Sequence, residues 1–98
     1  MTDLEISKAL ALAIGWLEED TRIFSYDRLA VRKASRKYLV PFRFFDYRDW
    51  NVIGPIAERY NCFPGKDMYG IWIGGKYPYV QADTPQKAIA LAVIGAKQ

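Results

Sequence analysis

The sequence predicts a single α+β domain over residues 1–98: a small layered helix–sheet–helix sandwich with antiparallel hairpins and the element order α-β-β-α-β-β-α. Three observations predict this class. The chain has 98 residues, which is the usual size of one domain. Apolar residues make up 51% of it, so the chain can build a core and lacks the composition of a disordered protein. Short segments of alternating hydrophobicity lie between segments with helical spacing.

Local start signals and apolar spacing predict three helices. The segment 2–5, Thr-Asp-Leu-Glu, has the form of a capping box, which predicts a first helix over 3–14. The spacing of apolar residues predicts a second helix within 50–60. Gly54-Pro55 limits this helix, so either the regular helix begins near Ile53 or an irregular turn from Asp49 leads into it. Thr84-Pro85 combines an N-cap residue with a first-turn proline, so a third helix is expected to follow it.

Alternating hydrophobicity predicts four strands in two hairpins. The first hairpin pairs 28–33 with 37–45, and the second pairs 68–73 with 77–82. Gly74-Gly75 supplies the turn of the second hairpin. Prolines within the second strand of each pair favour edge positions for those strands, because proline has no amide to donate.

The central turns of the first and last helices are apolar on all sides. A helix of this kind must be covered on more than one side. Two arrangements satisfy this requirement: the helices pack on each other as well as on a sheet, or they form the interface of a homodimer. The residues concerned are Leu10, Leu12, Ile89, Leu91, Val93 and Ile94.

Four segments, taken in order and spacing, are similar to one family. They are Ile14-Gly15-Trp16, the aromatic and acidic run 45–50, the Trp72 hairpin and the run 84–89. Together they resemble the phage ABA sandwich domain, a family of small bacteriophage and prophage proteins. The resemblance implies a layered helix–sheet–helix fold and a phage origin, and it brings no activity or catalytic residues with it. The resemblance also implies that the protein acts by binding a host protein, including defence components.

Composition and chain pattern predict a cytoplasmic protein, and the phage resemblance implies the cytosol of a bacterial host. The single cysteine, Cys62, excludes an internal disulfide and fits a reducing compartment. The acidic N-terminal segment lacks the features of a signal peptide. The apolar runs are far shorter than the roughly 20 residues that span a bilayer, so we expect no membrane span.

The residue types argue against an enzyme. The chain contains no histidine, the commonest general base and metal ligand. Nothing near Cys62 in sequence would activate its thiol. The carboxylates of 18–20, Asp46 and Asp49 are better explained as an acidic loop and helix-start residues than as a magnesium site. We therefore expect no catalytic residue, metal or cofactor.

Positive charge is concentrated in the segment 21–43, whose seven basic residues and one acidic residue give a local net charge of +6. Aromatic residues are interleaved with the basic ones, a composition typical of surfaces that bind phosphates and stack bases. Strand parity puts Arg28 and Arg32 on one face and Lys33, Lys37 and Arg43 on the other, so a plain solvated surface is the alternative. The candidate contact residues for nucleic acid or an acidic partner are Arg28, Arg32, Lys33, Arg36, Lys37 and Arg43.

A second set of candidates is aromatic. Trp50, Trp72 and Tyr79 belong to the residue types that dominate protein interfaces, although such residues also complete small cores. The favoured hypothesis is an accessory phage or prophage protein that binds a host or phage protein, for instance as an inhibitor of a defence or regulatory factor. The alternative is an accessory protein that binds nucleic acid through the basic segment.

Overall fold

The structure is a computed structural model that describes residues 1–24, 28–33, 41–66, 68–74 and 80–97. The described residues form three α-helices and two three-stranded antiparallel sheets. This confirms the predicted α+β class with antiparallel hairpins. Each sheet has one strand more than the sequence predicted, so the order is α-β-β-β-α-β-β-β-α.

Side-chain caps start the two terminal helices as predicted. Helix α1 spans Asp3–Ala13, and its capping box is complete. The hydroxyl of Thr2 accepts from the Glu5 amide at 3.2 Å, and the Thr2 amide donates to the Glu5 carboxylate at 3.1 Å. Helix α3 spans Pro85–Ala96, and the Thr84 hydroxyl accepts an amide of its first turn at 3.2 Å. These caps satisfy amides that have no partner within the helix.

Helix α2 spans Trp50–Tyr60, so the expectation that Gly54-Pro55 would limit the helix was wrong. The carboxylate of Asp49 accepts from the Asn51 amide at 2.9 Å and caps the start. Pro55 lies inside the helix, beyond the first turn in which proline fits without penalty. The helix ends at Asn61, which adopts the left-handed conformation with φ 54° that commonly terminates helices.

The first sheet has the order β1-β2-β3. Strands β2 (Arg28–Val31) and β3 (Arg43–Phe44) pair with each other and fall within the predicted hairpin. Strand β1 (Thr21–Phe24), which the sequence did not predict, pairs along the other edge of β2. The predicted turn and the start of the second predicted strand, at 34–40, lie outside the described residues.

The second sheet has the order β4-β5-β6. Strand β5 (Trp72–Gly74) pairs with β6 (Val80–Ala82), which confirms the predicted hairpin, although residues 68–71 of the predicted first strand lie outside β5. Gly74 belongs to β5 and faces Val80, while the connection at 75–79 lies outside the described residues. The short strand β4 (Gly65–Lys66) adds the other edge.

Helix α3 lies at the centre of the molecule. It packs against α1, α2 and the strands β5 and β6, while α1 also packs on β2. Packing within one chain therefore covers a helix that is apolar all round, and α3 needs no second copy for this purpose. Leu91 is half-buried and Leu12 of α1 remains 38% exposed. The buried residues of α3 are Ala88, Ile89, Ala90, Ala92, Val93 and Ile94.

The segment after β3 is fastened to α1. Tyr47 is 2% exposed, and its hydroxyl donates to the carboxylate of Asp3 while its amide donates to the Ser7 hydroxyl at 3.2 Å. Arg48 bridges Asp3 at 3.2 Å and Asp46 at 2.7 Å. These bonds hold the chain that leaves β3 against the first turns of α1.

In the described part of the chain, no helix combines the length and apolar character needed to cross a bilayer.

Gly74 allows β5 to approach α3 closely, and we expect Gly74→Ala to destabilise the protein. A Cβ at this position would lie 2.5 Å from the carbonyl oxygen of Ala88. Because that contact is with backbone, the helix or the sheet must shift, at a cost of about 1–3 kcal/mol. Gly65→Ala in the adjacent strand is the matched control, since nothing lies within 4 Å of its Cβ position. Urea denaturation of both variants measures the difference, and equal stabilities would contradict the close approach.

Tyr47→Phe keeps the ring but removes the hydroxyl, so we expect a loss of about 1–2 kcal/mol of unfolding free energy at neutral pH. Burial, and then the hydrogen bond to Asp3, raise the pKa of Tyr47 above its usual value. A raised folded-state pKa means that the neutral phenol stabilises the fold below about pH 10, and that this contribution is lost as the pH rises further. The stability gap between wild type and Tyr47→Phe should therefore narrow in alkaline solution. A constant gap in urea titrations on both sides of the usual tyrosine pKa would contradict this account.

Candidate functional site

The first sheet turns one of its two faces toward the core. Leu29, Val31 and Phe45 are 2%, 4% and 7% exposed. The Phe45 amide donates to the Leu29 carbonyl at 2.8 Å, which continues the pairing of β3 with β2. Successive side chains of a strand point to opposite faces, so the even-numbered residues of these strands point away from the core.

The even-numbered positions form an outward face. Antiparallel pairing places Arg22 and Phe44 on either side of Ala30, and directly paired side chains share a face. Ala30 is fully buried yet does not belong to the core cluster, so the longer side chains around it cover it. We name this surface the arginine–phenylalanine face. Its members are Arg22, Phe24, Arg28, Arg32, Phe42 and Phe44.

Three phenyl rings meet on this face. Phe24 is 5.5 Å from Phe42 between ring centroids, with an angle of 75° between the ring planes. It is 6.3 Å from Phe44 at 83°. Edge-to-face pairs of this kind contribute roughly 0.5–1.5 kcal/mol beyond the area they bury. The rings of β1 and β3 are thus held together across the central strand.

Three guanidinium groups lie over two of these rings. Arg32 is 3.9 Å and Arg22 is 5.1 Å from the centroid of Phe42. Arg28 is 4.5 Å from the centroid of Phe44. Each such contact contributes roughly 0.5–1 kcal/mol at an exposed site. The contacts also restrict the arginine side chains, so less side-chain entropy remains to be lost when a ligand binds.

The face is open to solvent. Phe44 is 56% exposed and Phe24 is 38% exposed. Arg22 and Arg28 are also exposed, whereas Phe42 lies half-buried beneath its arginines. Contiguous exposed apolar surface with a charged rim typically marks an interaction site.

Among the described residues, no carboxylate forms an ion pair with Arg22 or Arg28. The ion pairs among described residues lie elsewhere, for example between Lys8 and Glu18. Arg28 does act on Asp46 at longer range. The hydrogen bond from Arg48 is the main cause that holds the pKa of Asp46 below its usual value, and the charge of Arg28 adds to it.

The structure brings two of the six predicted basic residues, Arg28 and Arg32, onto the arginine–phenylalanine face. Arg43 pairs with Val31, so it lies on the opposite face of the sheet from Arg28 and Arg32. Lys33 lies away from the arginine–phenylalanine face. Its ammonium is 3.8 Å from the carboxylate of Asp20 and 4.8 Å from the ring centroid of Trp16. Two further predicted residues, Arg36 and Lys37, lie outside the described residues.

Sequence reasoning did not assign Arg22 and Phe24 to the site, because it did not predict β1. A signal was present in the segment Thr21–Phe24. Threonine, isoleucine and phenylalanine are enriched in strands, and the segment directly precedes a predicted strand.

The aromatic candidates do not form one surface within the described part of the chain. Trp50 is 52% exposed at the start of α2. Trp72 is half-buried in β5, with the ammonium of Lys66 4.8 Å from its ring centroid. No ring contact between described residues joins the two tryptophans. Tyr79 lies outside the described residues.

The residues weighed for chemistry have structural partners. The thiol of Cys62 is buried and donates to the Tyr60 carbonyl at 3.3 Å. Asp49 caps α2, and Asp46 binds Arg48. Among the described residues, no three side chains of the histidine, cysteine or acidic type come together in a way that could hold a metal ion.

Comparison of the chain with known proteins gives no match to a family model, a curated protein or a solved structure.

Proposed function

We propose that this protein acts by binding nucleic acid at the arginine–phenylalanine face. The observation that carries the proposal is the meeting of three guanidinium groups and three phenyl rings on one outward sheet surface. Arginine matches the geometry and charge of phosphate groups, and aromatic rings stack on bases. The concentration of positive charge in residues 21–43 supports the same choice of ligand.

The residues of the face favour binding over catalysis. Arginine stays protonated in proteins, and phenylalanine has no acidic, basic or nucleophilic group. The functional groups on this surface can therefore attract, orient and stack a ligand, but they cannot exchange protons with it near neutral pH. An accessory role in a phage or prophage is part of the proposal, and the resemblance to the phage ABA sandwich domain is its support.

Binding to a host or phage protein is the second candidate. The observation that favours it is a set of exposed apolar side chains away from the arginine–phenylalanine face. Trp50, Phe63, Met68 and Tyr69 are 52%, 60%, 87% and 81% exposed. Aromatic residues and methionine are enriched at protein interfaces. Affinity capture from lysate with and without nuclease separates the candidates, because nuclease removes proteins that are held only through a nucleic-acid bridge.

The central test replaces Arg22, Arg28 and Arg32 together with glutamine and measures binding to labelled oligonucleotides by fluorescence anisotropy. If the three side chains contact phosphates, the salt dependence of log Kd should become shallower by about 2–3 log units per decade. We also expect a loss of affinity of about tenfold or more at moderate salt. Circular dichroism confirms that the variant is folded.

The matched control replaces three basic residues away from the face, Arg59, Lys66 and Lys97, with glutamine. Both triple variants lower the formal net charge from +3 to zero. A non-specific effect of net charge would weaken binding equally in both. Absence of wild-type binding at low salt would refute the proposal, and a stronger effect of the control than of the face variant would place the site elsewhere.

A further inference from the structure

We infer that the nucleic acid bound by the arginine–phenylalanine face is single-stranded, with unstacked bases lying on Phe24 and Phe44. This inference rests on the proposed function and names its ligand class. The two rings are the exposed phenylalanines of the face, at 38% and 56% exposure. Phe42 is less available because it lies half-buried beneath the guanidinium groups of Arg22 and Arg32, whereas Phe44 carries one guanidinium, that of Arg28, and stays more than half exposed.

The spacing of the rings does not match that of a stacked pair of bases. The centroids of Phe24 and Phe44 are 6.3 Å apart. Neighbouring bases in a duplex strand are separated by only about 3.4 Å along the helix axis. Two successive bases must therefore move apart to reach both rings, and a single strand can do this without breaking base pairs.

The angle between the rings leads to the same conclusion. Their planes are inclined by 83°, so a base parallel to one ring is nearly perpendicular to a base on the other. Bases in a duplex lie parallel to one another and cannot adopt this relation without unstacking. In a flexible single strand, each base can turn to its own ring, which is how aromatic platforms bind single strands.

Duplex nucleic acid would use only part of the face. It presents phosphates and base edges to a protein, while the flat surfaces of its bases are hidden in the stack. Phenylalanine has no donor or acceptor with which to read a base edge. A duplex would therefore gain the arginine contacts but not the ring contacts, and it should bind more weakly than a single strand of the same sequence.

Arg28 is placed to connect the two kinds of contact. Its guanidinium lies 4.5 Å from the Phe44 centroid. The planar group can stack while its N–H donors at the edge point outward to a phosphate. A base that lies beside Phe44 can thus have its own phosphate held by the same arginine. This arrangement recognises the repeating unit of a single strand without regard to base identity.

The test measures wild-type affinity for a labelled oligothymidylate, an oligouridylate and a duplex, with fluorescence anisotropy as the readout. We expect both single strands to bind at least about tenfold more tightly than the duplex. The preference should persist as salt is raised, because stacking depends less on salt than phosphate contacts do. This comparison requires no variant, so it is independent of any effect of mutation on folding.

Phe24→Leu and Phe44→Leu keep an apolar side chain but remove the stacking surface. Each should weaken binding of the single strand by about tenfold and weaken duplex binding by a clearly smaller factor. Phe63→Leu is the matched control, because Phe63 is 60% exposed and lies outside the face. Polyglutamate serves as a competitor that carries negative charge without bases, and it should displace the oligonucleotide poorly.

The outcomes separate the inference from the proposed function. No binding of any oligonucleotide by the wild type would overturn both. Equal or tighter binding of the duplex, with no effect of either leucine variant, would overturn the inference. The face would then be a nucleic-acid site that recognises only the negative charge of its ligand. Displacement by polyglutamate as efficient as by unlabelled oligonucleotide would also overturn the inference, since the ligand would then be any acidic chain.

Discussion

The arrangement of the layers depends on the close approach of β5 to α3, where Gly74 meets the backbone of Ala88. The alanines of α3 are small enough to let neighbouring elements come near the helix axis, so it can be covered by two helices and a sheet at once. Dispersion contacts fall off steeply with distance, so this proximity makes the central helix an effective core. A larger residue at Gly74 would push β5 away from α3 and so separate the sheet from the helix, rather than displace a single side chain.

The first sheet is linked to this core less directly, through α1. Helix α1 packs on both α3 and β2, and the hydrogen bond of Tyr47 to Asp3 fastens the chain beyond β3 to the same helix. Strand β3, which carries Phe44, is therefore anchored to α1 through the residues that follow the strand. A rigid support of this kind allows a two-residue strand to present an aromatic ring at a defined position. The candidate site and the fold thus share the same anchoring contacts.

The sequence predicted those features whose causes are local. The Thr2 and Thr84 caps are visible in four-residue windows, and α1 and α3 begin where these signals place them. Apolar spacing located α2. Strand β1 was hidden because Ile23 and Phe24 put apolar side chains on both parities, which obscures the alternation expected of a half-buried strand. Ile23 remains 51% exposed even though it lies on the core side of the sheet.

Which residues form the candidate site depends on contacts between distant parts of the chain. The sequence could not show that Lys33 would pair with the buried carboxylate of Asp20 and so leave the basic cluster. Nor could it show that Arg22 would reach Phe42, because their meeting requires the unpredicted β1 to pair with β2. The alternation of side chains along a strand correctly predicted that Arg28 and Arg32 lie on one face and Arg43 on the other.

The burial of Ala30 couples the binding surface to the integrity of the sheet. Ala30 sits in the central strand with a packed core on one side and a cover of rings and guanidinium groups on the other. A ligand that pushed these side chains apart would admit water to the middle strand and weaken it. A ligand that settled on top of them would exclude water further and strengthen it. Occupancy of the surface and resistance of β2 to opening are therefore thermodynamically linked. Amide exchange in this strand would become slower under a ligand that settles on the cover and faster under one that separates it, so it would report a bound ligand that carries no label.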